Sequence, residues 1–159
     1  MTYDLDAIES ECVSLGIVCH RVASDQIDLV LAADCILQFS NQASEGDTMV
    51  GFSDTPWHSH DKLMVMTGDS TCIECSELDI VRLIASGDLV IVSQIMNGQL
   101  TDRWLAHKAE PLDLQHIEAG EELRINTWHN KTDAGNGSYG ICRVIDASRS
   151  PWLRVPCNR

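Results

Sequence analysis

The chain has 159 residues, 44 % apolar and 22 % charged, a make-up that excludes a disordered or fibrous polypeptide and fits one globular domain over residues 1–159. Its formal net charge of −13, from 24 acidic against 11 basic residues, repels phosphate backbones and so excludes nucleic acid as a partner, while it suits a basic protein or a bound cation. No apolar run reaches the ~20 residues of a membrane helix, and the acidic start "MTYDLDAIESE" lacks the layout of a signal peptide; the chain reads as soluble and cytoplasmic, with no membrane partner.

Taken in chain order, Leu5, Ile8, Cys12 and Leu15 recur at spacings of three and four, and Gly16 follows. This predicts an N-terminal amphipathic helix with a glycine C-cap. The stretches 16–22, 26–39 and 48–53 are rich in β-branched and apolar residues and read as strands, with 40–47 a polar loop. A second helix is expected at about 76–86, closed by Gly87, with Leu78, Val81, Ile84 and Ala85 as its buried stripe. Ser76 caps it, and Asp79 completes a capping box. Two strand-like runs then flank Asn97-Gly98, a pair that accepts the positive φ angles of a type I′ hairpin turn. Residues 121–129 alternate as a strand, 130–138 form a glycine-rich loop, 139–146 a last strand, and the proline-bearing tail is irregular. The predicted class is α+β with a mostly antiparallel sheet.

Seven cysteines form an odd set with no secretion signal, which predicts reduced thiols, with Cys19 and Cys35 acting as small apolar residues. Chemistry concentrates in "DTPWHSHDKLMV". On an extended segment His58 and His60 point to one side, so their imidazoles can reach one divalent ion, with Asp61 as a further oxygen ligand. The plain alternative is the wet face of an ordinary strand. "CIEC" offers Cys72 and Cys75 as a zinc half-site, or as a redox pair in which the helix end after Cys75 would lower its thiol pKa; the plain reading is buried thiols. His20, His107 and His116 stand alone and read as hydrogen-bonded side chains, and Trp104, Trp128 and Trp152 as core or interface anchors. No phosphate loop, nucleophile elbow or dinucleotide fingerprint is present.

"W-H-S-H" followed by "S-x-x-D-I" entering an apolar helix resembles the JAMM family of zinc isopeptidases over residues 48–106. The resemblance implies zinc held by His58, His60 and Asp79, with Ser76 steadying the tetrahedral intermediate. The gap from His60 to Ser76 is longer than is usual in the family, Asp61 stands where proline is usual, and there is no glutamate between Glu11 and Glu45 to match the upstream base. "HSH" together with the later "AGEELRINTWHN" is also similar to the two halves of a cupin site, which implies His129 as a third ligand. Two functional expectations follow. One is a zinc-binding α+β domain related to metallohydrolases without strong catalysis. The other is an acidic, non-enzymatic module of the immunity or inhibitor type that binds a basic protein through carboxylates and aromatic anchors.

Overall fold

The computed structural model describes residues 2–42, 46–69, 71–110, 117–129 and 138–146. Residues 130–137 of the loop expected at 130–138, the tail from 147 onward, His116, Glu45, Trp152 and the His129 side chain lie outside the described residues.

Helix α1 (Leu5–Leu15) is capped by the Asp4 carboxylate, which accepts from the Ala7 amide, and it ends at Gly16 with φ of 73°. That left-handed angle lets the Ile17 amide turn back to the Cys12 carbonyl at 2.9 Å, and only glycine adopts it without a Cβ penalty. Five strands follow as an antiparallel meander: β1 (Val18–Ala23), β2 (Gln26–Ala32), β3 (Cys35–Gln42), β4 (Asp47–Phe52) and β5 (His58–His60). The run 26–39 is therefore a hairpin, turned at Ala33-Asp34, and not one strand. A single strand of that length would far exceed the usual five or six residues. Part of the expected polar loop is also strand. Asn41 extends β3 because its side chain bonds both backbone groups of Tyr3, accepting at 2.7 Å and donating at 3.1 Å. Alternation along β2 and β3 puts Ile27, Leu29, Leu31, Leu37 and Phe39 on one buried face.

A short ribbon of β6 (Leu63–Met66) and β7 (Cys72–Cys75) leads into α2 (Glu77–Ser86), which ends at Gly87 in the left-handed conformation. Its buried residues are Ile80, Val81 and Ile84, with Leu78, Leu83 and Ala85 partly covered. The stripe is rotated relative to the sequence expectation because α2 packs against α1 as well as against β7 and the second sheet.

That second sheet has the order β11-β10-β8-β9, from β8 (Leu89–Met96), β9 (Gln99–His107), β10 (Glu121–His129) and β11 (Ser138–Asp146). The expected turn stands: Asn97 and Gly98 have φ of 51° and 81°, the two positive angles a type I′ turn requires. Strand β8 is central and apolar on both faces. Leu89 and Ile91 join Trp128, Leu105, both helices and the first sheet in one continuous core. Val90 and Val92 join Ala106, Leu123, Ile125 and Ile145 in a second cluster on the opposite face. The class is α+β and mostly antiparallel, and no described helix is long and apolar enough to cross a membrane.

One buried cation ties the two sheets together. Arg103 of β9 donates to the Asp54 carboxylate and to the Asp34 carbonyl, both at 2.5 Å, and its Nε reaches Ser93 Oγ at 3.4 Å. Asp34 lies in the β2–β3 turn and Asp54 in the β4–β5 connection, so one guanidinium pins both loops of the first sheet to the second.

Candidate functional site

The histidine pair sits on β5, the last strand of the meander. Parity puts both imidazoles on one exposed side, with ring centroids 5.0 Å apart and planes at 83°. Strand β5 approaches β4 closely at Gly51, opposite His58: a Cβ there would lie 2.9 Å from the Trp57 carbonyl and 3.0 Å from His58 Cβ. Trp57 anchors the strand start against Phe52, with ring centroids 5.8 Å apart. The next residue, Asp61, has φ of 54°, and its carbonyl accepts from the Tyr3 hydroxyl at 2.9 Å. Proline, fixed near −65°, cannot occupy that conformation.

Each imidazole is held by its Nδ1. His58 Nδ1 lies 2.8 Å from the Pro56 carbonyl, and His60 Nδ1 lies 2.5 Å from the Asp47 carboxylate. A carbonyl oxygen can only accept, so His58 Nδ1 carries the proton and the lone pair of the neutral ring is on Nε2. The carboxylate imposes the same tautomer on a neutral His60. Sequence reasoning missed both Asp47 and the Pro56 carbonyl. Asp47 is remote in sequence and becomes a neighbour only through the β4–β5 pairing, for which no local signal exists.

The other predicted residues are placed differently. Ser76 and Asp79 are engaged with each other as a capping box: the Asp79 carboxylate accepts from the Ser76 amide at 3.0 Å and hydroxyl at 2.7 Å, and the Asp79 amide donates to Ser76 Oγ at 3.3 Å. These bonds, the Ser76 hydroxyl first, hold the Asp79 carboxyl below its ordinary range. Cys72 and Cys75 are three residues apart on a strand and so face opposite ways, one exposed and one buried. The buried-thiol reading of Cys75 agrees with its burial. Burial, followed by the charges of Asp79 and Cys72, raises its pKa, and outweighs the helix end. Glu11 is paired with Arg82 at 2.8 Å, bridging the two helices. Among the described residues no group of three or more His, Cys, Asp or Glu side chains is placed to hold a metal ion. His58 and His60 are thus brought together, while the structure places Asp79, Ser76, Cys72 and Cys75 in other roles. His129 lies on β10 beside Ser138, its side chain outside the described residues.

Ser76→Ala removes the cap and is expected to destabilise the fold by about 1 kcal/mol, read from the urea midpoint. The Asp79 pKa is depressed on folding, so its contribution is complete above the ordinary carboxylate value of 3.8 and fades as pH falls below it. The difference between variant and wild type should therefore narrow as pH falls below 3.8. Equal losses at pH 7 and pH 3 would show that the hydroxyl, and not the carboxylate, carries the effect.

No family model matches the chain, and no curated protein or solved structure was found to match it.

Proposed function

We propose that this chain is a divalent-metal-binding α+β domain whose ligands are Nε2 of His58 and Nε2 of His60. The observation that supports this reading is the anchoring of both Nδ1 atoms on acceptors, one of them a carboxylate. That is how proteins fix the tautomer and orientation of metal-ligating histidines and raise their basicity. Imidazole pairs suit zinc, copper and nickel, and an ion held by two side chains keeps water in its remaining positions. Such an ion would supply Lewis acidity to a bound water, and the chain's own part is to hold and aim the two rings. The resemblance to zinc isopeptidases enters this proposal through the histidine pair alone, since Asp79 and Ser76 serve the cap of α2.

The test is elemental analysis of untagged protein equilibrated with zinc. About one zinc per chain is expected, lost in His60→Ala, with affinity about 10- to 100-fold lower in Asp47→Asn because the second anchor is weakened. Zinc uptake by His60→Ala equal to that of wild type overturns the assignment. Protein that takes up no zinc at all also overturns it, and favours a second reading, the acidic module for a basic partner. That reading is supported by the outer face of α1, where the exposed Val13 lies beside Asp6 and Glu9. Salt-insensitive association with basic proteins would count against it.

A further inference from the structure

A cleft of about 310 Å³ opens where the second sheet meets the β2–β3 turn of the first, built from residues other than the histidine pair. Its lining follows from strand register. Arg124 of β10, Ser93 of β8 and Arg103 of β9 are direct cross-strand partners, and so form one polar row across the sheet. Two strand spacings separate the guanidinium-bearing positions, about 10 Å. Asn126 lies two residues beyond Arg124 on the same face, and Asp34 and Asp54 close the opposite side.

The three kinds of group there differ in how far they are committed. Arg103 is fully engaged with Asp34, Asp54 and Ser93 and serves as wall. Arg124 is paired through Nε with Glu122, and its side chain is 42 % exposed, so the rest of its guanidinium fork can still be approached. Asn126 is only 3 % exposed, and among the described residues its Oδ1 is a buried acceptor with no hydrogen-bond partner. A buried acceptor left unmet is destabilising, and buried polar groups without partners are rare in folded proteins. The cleft therefore asks for a donor at Asn126, has a carboxylate-binding fork at Arg124, and presents acids on its far wall. A simple anion would meet Asp34, Asp54 and Glu122, which offset both guanidiniums. A molecule with a carboxylate at one end and N–H donors at the other matches every group.

We propose that this cleft binds a small zwitterion of the α-amino-acid class, its carboxylate on Arg124 and its ammonium donating to Asn126 Oδ1. The volume accommodates an amino acid with its side chain directed to the open end. The experiment is titration of the full chain with each common free L-amino acid, followed by ¹H–¹⁵N spectra, with inorganic phosphate and acetate as controls. At least one amino acid should saturate shifts at residues 93, 103, 124 and 126. Arg124→Gln, a change at a half-exposed position, should weaken that binding about 10- to 100-fold through loss of a charge-assisted hydrogen bond. Asn126→Leu removes the unmet acceptor, so it should fold at least as stably as wild type while losing the ligand. The proposal is overturned if no amino acid gives saturable shifts there, if phosphate or acetate binds equally well, or if both variants bind as wild type does.

Discussion

Arg103→Ala is expected to lower stability by about 3–5 kcal/mol, one of the two largest effects of any single change considered. The side chain is 7 % exposed and satisfies three acceptors at once, on two loops and one strand. Removing it strands the Asp54 carboxylate and the Asp34 carbonyl in a site built around a cation. Asp54 retains 37 % of its side-chain exposure, and this access to water places the expected loss at the lower end of the range. Urea denaturation gives the value, and a double-mutant cycle gives its source. Adding Asp54→Ala to Arg103→Ala should restore part of the loss, because the uncompensated charge goes with it. A single-variant loss under about 1 kcal/mol would mean that the pair behaves as a solvated surface bridge.

Trp128→Ala should cost a similar amount, about 3–5 kcal/mol, by a different mechanism. The indole is 2 % exposed and belongs to the continuous core shared by α1, α2 and both sheets. Its deletion opens a void that cannot collapse without moving α2 or β8, so the transfer loss and the cavity loss add. Trp128→Phe keeps most of the volume and should cost much less. Trp104 provides an internal control, since it is half-buried on the opposite face of the same sheet and packs against the smaller cluster. If Trp104→Ala proved the more destabilising of the two, the division of the sheet into a main and a minor face would be wrong.

What could be read in advance was what local rules determine. The apolar face of α1 with Gly16, the Ser76–Asp79 cap and the Asn97-Gly98 turn are each set by residues within a few positions of one another, and all three stand in the structure. The hairpin at Ala33-Asp34 was not legible, because neither residue needs a special backbone angle and the apolar run continues through it. The same divide runs through the candidate site. Parity was enough to bring His58 and His60 to one side. Their anchoring depended on Asp47, which only the β4–β5 register brings near. Cys72 and Cys75 show the reverse: a spacing suited to a shared ion in a tight loop puts the thiols back to back once the segment is extended. Arg103, Arg124 and Asn126 carried no motif at all. They meet as cross-strand neighbours, a relation that one-dimensional spacing does not encode.

The two sheets also differ in how soon the growing chain can complete them. Every pairing in the first sheet joins strands adjacent in sequence, so each closes a short loop and can form as soon as its second strand is made. In the second sheet β9 takes one edge of β8 at once, but the other edge waits for β10, since Met96 pairs with Glu121. Until those residues leave the ribosome, β8 offers an open, apolar strand edge of the kind that recruits other chains. The delay between β9 and β10 is thus an interval in which that edge is open to misassembly during synthesis.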